Sequence, residues 1–90
     1  MTGTPRQGVA LTLVTRAYCH LCDEMRDALA PLVARYGATL EELDVDAHPA
    51  LESAWGDLVP VVLAGGVEHP VELCHYRLDH ARVEAALRSA

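Results

Sequence analysis

The period of the hydrophobic pattern changes twice between residues 9 and 45, and this alternation limits the fold more than any other feature. Val9 to Val14 (VALTLV) is an apolar run of strand length. After the loop Thr15-Arg16-Ala17-Tyr18, the residues Leu21, Met25, Leu29, Leu32 and Tyr36 recur at intervals of three and four, the stripe of an amphipathic helix. Asp23, Glu24 and Asp27 fall in its opening turns, where the helix dipole favours negative charge. Thr39 to Val45 (TLEELDV) then reads as a strand with Leu43 and Val45 on one face. Strand, helix and strand in this succession make a parallel pair joined by a right-handed crossover. Pro31 lies inside the helical pattern, where it cannot donate to the carbonyl of residue 27, so a kink costing about 3 kcal/mol is expected unless the helix relaxes. Gly37 is the expected stop.

The second half of the chain is more closely punctuated. His48-Pro49 opens a short helix, with Pro49 suited to its first position, and this helix runs to Trp55 and ends at Gly56. Pro60 to Ala64 (PVVLA) and Val67 to Leu73 (VEHPVEL) flank Gly65-Gly66, the signal of a two-residue hairpin. Pro70 confines the later strand to a sheet edge or a bulge. Asp79 is placed to cap a last helix whose apolar stripe is Val83, Ala86 and Leu87. The order strand, helix, strand, helix, strand, strand, helix is that of a small α/β sandwich, and periodicity alone goes no further.

Composition bounds the function. Ninety residues, 51 % hydrophobic and 22 % charged, suffice for one domain with a thin core, and a separate cofactor domain would not fit. Residues 1–7 have neither the basic start nor the apolar core of an export signal and read as a short tail before a domain at 8–90. Seven basic and thirteen acidic residues leave a net charge of −6, which argues against nucleic acid or an anionic membrane as partner. No apolar run approaches the roughly 20 residues of a membrane helix. Three cysteines are too few for the disulfide framework of a small secreted domain. The expected location is cytoplasmic, where thiols stay reduced and a close cysteine pair signals redox or metal chemistry.

That pair is Cys19-His20-Leu21-Cys22, between the first strand and the first helix. A cysteine at a helix N-terminus faces unpaired N–H groups and the positive end of the dipole, both of which favour thiolate over thiol. Cys22 lies about one turn further on the same face, close enough to resolve a mixed disulfide. His20 and Arg16 are candidates for positive charge beside the thiolate. The alternatives are inert packing or half of a zinc site, but zinc wants four ligands and the chain offers only Cys74 and His75 as a second pair. The placement between strand and helix favours redox chemistry, and no metal ligand set is assigned. His48, His69 and His80 show no ligand spacing. Trp55 reads as core packing, and Glu41, Glu42, Asp44 and Asp46 read as a solvated face rather than a calcium site.

From Val9 to Leu87 the chain resembles the glutaredoxin-like branch of the thioredoxin superfamily. The stretch Thr15 to Cys22 is similar to that family's active-site segment, in which a basic residue and an aromatic precede Cys-Pro-Tyr-Cys, and Val59-Pro60 resembles its cis-proline. The resemblance implies a thioredoxin-like three-layer sandwich, a four-stranded mixed sheet of order 2-1-3-4 with helices on both faces. It implies thiol–disulfide exchange with Cys19 as nucleophile, Cys22 as resolving thiol and Val59-Pro60 as the substrate rest. Arg16, Tyr18, His20, Cys74 and His75 would then border the substrate. The partners implied are a disulfide-containing protein or glutathione, plus an external reductant. No tightly bound cofactor is required; glutathione would serve as co-substrate, and a monomer is expected.

The chain departs from the family pattern at two places. His20-Leu21 replaces Pro-Tyr between the cysteines, and Cys74-His75-Tyr76-Arg77-Leu78-Asp79 stands where glutaredoxins carry a Gly-Gly pair and a polar cap for glutathione. The family topology also puts Cys74 at the active-site end of the fourth strand, about 10 Å from the first strand, whereas a disulfide wants Cα atoms within about 7 Å. A direct Cys19–Cys74 bond would need loop movement, and a quiet, half-buried Cys74 is the simpler expectation. Two rivals stand beside the enzyme reading. One is a module that binds a metal or Fe–S cluster through Cys19 and Cys22, with Cys74 or His75 assisting. The other is a non-catalytic scaffold for a partner protein.

Overall fold

The computed structural model describes residues 9–88, so the expected tail at 1–7 lies outside the described residues. The elements are β1 (Ala10–Thr15), α1 (His20–Arg35), β2 (Thr39–Asp44), α2 (Pro49–Trp55), β3 (Val61–Ala64), β4 (Val71–His75) and α3 (His80–Arg88). The strands form one sheet in the order β2-β1-β3-β4. β1 and β2 are parallel, and β3 is antiparallel to both β1 and β4. This is the thioredoxin-like architecture that the resemblance implied.

Strand alternation divides the core into two layers. Leu11, Leu13 and Val62 face one way and pack with Met25, Leu29 and Leu32 of α1 and Val83 and Leu87 of α3. Val14, Val61 and Leu63 face the other way and pack with Val45 and Leu51, covered by Trp55 and Leu58. β1 and β3 are the central strands, so both of their faces are buried, and they read as near-continuous apolar runs for that reason. β2 is an edge strand and keeps only Leu40 and Leu43 partly covered, one on each face.

Helix ends follow local chemistry. His48 precedes Pro49 at the start of α2, and the Asp79 carboxylate accepts the Arg82 N–H at 3.1 Å over the first turn of α3. At the other end of the molecule the Tyr36 hydroxyl donates to Glu84 at 2.7 Å and ties the end of α1 to α3. Helix α1 continues through Pro31 to Arg35 as one element. Pro31 and Asp27 are exposed, so water can take the carbonyl that loses its intrahelical donor.

Three expectations are corrected. The strand expected at 39–45 ends at Asp44, and Val45 enters a single 3-10 turn, 45–47, where it is fully buried. β3 begins at Val61, one residue after Pro60. The two-residue hairpin is replaced by a connection over 65–70, with Gly65 and Gly66 both at positive φ and the last strand starting only at Val71. Pro70 explains the shortening. It has no N–H for the ladder, so pairing starts after it rather than at Val67.

Candidate redox site

Register across the sheet defines the functional end. Val14 of β1 faces Val61 of β3, which faces His75 of β4. The C-terminal ends of β1 and β4 therefore meet the start of β3 at one edge of the sheet, and the chain leaving β1 turns there into α1. Cys19 is the N-cap of α1, with extended backbone (φ −104°, ψ 109°). Its carbonyl accepts the Asp23 N–H at 3.2 Å, and its Sγ accepts the Cys22 N–H at 3.1 Å. The sulfur thus takes the position that a serine oxygen holds in a common N-cap, and it satisfies one of the helix's unpaired donors.

The spacing of three then brings the Cys19 and Cys22 Cα atoms to 5.1 Å, and the two sulfurs are joined as a disulfide. Their surroundings differ. Cys19 is partly exposed, whereas Cys22 keeps 1 % of its surface. The Cys22 N–H and the positive end of the α1 dipole both lie at the Cys19 sulfur.

The remaining residues at this end divide by what holds them. Tyr18 has a left-handed backbone (φ 60°) and a side chain wholly in solvent, directly before Cys19. His20, the first helical residue, is also exposed. The Arg16 guanidinium is bound to the Glu52 carboxylate, and its buried Nε lies 3.4 Å from Asp46 without forming a directed hydrogen bond. Its charge is therefore already matched by two carboxylates from the α2 side of the sheet. The Val59–Pro60 peptide bond is cis, and Pro60 is buried. Among the described residues no hydrogen bond from beyond its own turn reaches the Val59 backbone.

A β-bulge decides where Cys74 and His75 go. Glu72 pairs with Leu63 and Cys74 with Val62, so Leu73 is the extra residue. Leu73 and Cys74 consequently share the core layer under α1 and α3, while Glu72 and His75 share the opposite face. There the His75 ring meets the Glu72 carboxylate, a contact between residues three apart that an unbulged strand would forbid. Cys74 is a free thiol, 8 % exposed, in the row Leu13, Val62, Cys74. Burial pushes its pKa up, offset in part by the Asp79 backbone N–H. Among the described residues no cluster of three or more His, Cys, Asp or Glu side chains is arranged to hold a metal ion.

Tyr76 is the residue that sequence reasoning passed over. Its backbone N–H donates to the Pro60 carbonyl at 2.9 Å, and its hydroxyl donates to the Asp57 carbonyl at 2.7 Å. It is also one wall of a groove of about 150 Å³, formed by Tyr76, Arg77 and Leu78 against Glu24, Met25 and Ala28 of α1. An aromatic just past the last strand was the available signal, but its partners lie 16 and 19 residues away in the chain.

Residues 10–88 match the model of the glutaredoxin-like domain (DUF836). The chain is 35 % identical to the uncharacterized protein Mb0520 of Mycobacterium bovis, over 81 % of this chain and 76 % of that one. The solution structure of protein Ne2328 from Nitrosomonas europaea superposes with a TM-score of 0.79 at 34 % identity, covering 96 % of this chain and 99 % of the other. Mitochondrial thioredoxin 3 of Saccharomyces cerevisiae, in its oxidized form, superposes at 0.68 with 15 % identity over 94 % and 81 % of the two chains, a likeness of fold alone. With a family match over nearly the whole chain, a thioredoxin-like sheet and a Cys-X-X-Cys pair at the head of its first helix, the chain belongs to the glutaredoxin-like domain family.

Proposed function

We propose that the chain is a thiol–disulfide oxidoreductase. The observation that carries this reading is the unequal pair at the start of α1: one partly exposed sulfur that accepts a backbone N–H, and one buried sulfur within bonding reach of it. The Cys19 thiolate attacks one sulfur of a substrate disulfide, forming a mixed disulfide and expelling the other sulfur as a thiolate that takes a proton from water. Cys22 gives up its proton and attacks the Cys19 sulfur. The substrate leaves as its second thiol, and two electrons have passed from the protein to the substrate. An external thiol, glutathione or a reduced protein dithiol, returns the pair to its reduced form.

Tyr18, His20 and the Val59-Pro60 backbone form the substrate contact in this scheme, with Arg16 holding the loop through Glu52 and Asp46. Cys22, buried behind the partly exposed Cys19, is shielded from a substrate disulfide in solution, and this difference in access orders the two steps. The substrate is a disulfide-containing protein or glutathione disulfide, handled by a monomer with no resident cofactor. The setting is a reducing compartment such as the cytoplasm, where the pair serves redox homeostasis.

Trapping tests the scheme. Cys22→Ser incubated with glutathione disulfide is expected to accumulate a stable adduct on Cys19, because no second thiol can displace it. Cys19→Ser is expected to form no adduct at Cys22 on the same timescale. Equal labelling of both variants, or of neither, would overturn the assignment of nucleophile and resolving thiol.

A further inference from the structure

Tyr76 occupies a position that the exchange scheme does not use. Its two hydrogen bonds bracket Val59: the hydroxyl holds the carbonyl of Asp57 two residues before it, and the backbone N–H holds the carbonyl of Pro60 one residue after it. No hydrogen bond from beyond its own turn reaches Val59 among the described residues, so its backbone faces no competing element while the carbonyls of Asp57 and Pro60 on either side are held. Tyr76 adopts a left-handed backbone (φ 65°), which a side chain of this size adopts only when its surroundings impose it. The ring is held as well, edge-on to the His75 imidazole at 4.7 Å, and His75 is itself bound to Glu72. A single residue beyond the last strand thus anchors the loop across from Cys19 at both ends.

We propose that Tyr76 is a positioning residue for thiol–disulfide exchange, resting on the function proposed above: it holds the Val59 backbone rigid for pairing with an extended peptide that carries the substrate disulfide. Substrates with a peptide backbone gain from this rest, and small disulfides without one do not. Pre-fixing the Val59 backbone lowers the entropy lost when a peptide docks. Tyr76 therefore acts on docking and leaves the sulfur chemistry of Cys19 unchanged.

Tyr76→Phe removes the hydroxyl bond and keeps the ring against His75. It is to be compared with the wild-type chain on two probes, oxidised insulin as a disulfide with backbone and 5,5′-dithiobis(2-nitrobenzoate) as one without. The expected result is a fall in kcat/KM of about five- to tenfold on insulin, carried by KM, the size of one lost hydrogen bond. The rate with the small disulfide should hold. Amide relaxation by NMR should show Val59 and Val61 more mobile in the variant. Equal losses on both probes would mark a merely structural tie, and an unchanged loop or unchanged insulin kinetics would remove the role altogether. A wild-type chain inert toward both probes would overturn the exchange reading itself, which a defect confined to the variant would not.

Discussion

Cys19 keeps part of its surface in solvent and accepts the Cys22 N–H at 3.1 Å, while Cys74 sits in the core with burial raising its pKa. A raised thiol pKa favours the neutral form in the folded chain. The stability this contributes is complete below the ordinary value of 9.0 and is lost as the pH climbs through the folded value. Cys74 in the reduced protein is therefore expected to react with iodoacetamide at pH 7 on the order of a hundredfold more slowly than Cys19. It should catch up only in denaturant or at strongly alkaline pH, with peptide mapping as the readout; comparable labelling at neutral pH would contradict its burial. At this scale the sequence told unevenly. The cysteine pair was legible because a helix start and a spacing of three are local. The partners of Arg16 and Tyr76 were not, since Glu52 stands 36 residues from Arg16 and Asp57 stands 19 from Tyr76, and only the sheet brings them together. Cys74, expected half-buried at the strand end, is buried and faces α1 and α3. His75 faces the other way and meets Glu72.

The elements were read correctly where one periodicity ran long enough to dominate. The stripe from Leu21 to Tyr36 became α1, and the two central strands carried near-continuous apolar runs. Misreadings fell where backbone geometry outweighs pattern. The Leu73 bulge is invisible in composition, yet it sets which faces of β4 hold Cys74 and His75. The Gly65-Gly66 pair was read as a complete turn, whereas it opens a longer connection. That connection allows a paired test. A Cβ on Gly65 would lie 2.5 Å from the His69 backbone carbonyl, while one on Gly66 would meet nothing within 4 Å. Both residues have positive φ, so Gly66→Ala should cost only the left-handed penalty of about 1 kcal/mol. Gly65→Ala should cost about 2–3 kcal/mol or displace the β3–β4 corner. Urea unfolding of the two variants checks the order, and equal losses would contradict the described connection.

At the scale of the whole molecule, the sheet is a platform with a helical layer on each side, and its register collects one edge where β1, β3 and β4 end or begin together. That edge brings the N-terminus of α1, the cis Val59–Pro60 bond and the turn after β4 into one region. The fold was legible from the order of elements together with the family resemblance. The site's supporting contacts were not, because they cross between elements distant in sequence. Among the described residues no helix is long and apolar enough to cross a membrane. The central claim, that Cys19 and Cys22 form a reversible redox pair, is tested most directly by intact mass and peptide mapping across a series of reduced to oxidised glutathione. The expected result is one cooperative transition in which Cys19 and Cys22 appear in a single crosslinked peptide, Cys74 remains a thiol, and reduction restores the starting mass. A pair that stays reduced across the series, or reacts only after a bound metal has been removed, would contradict it.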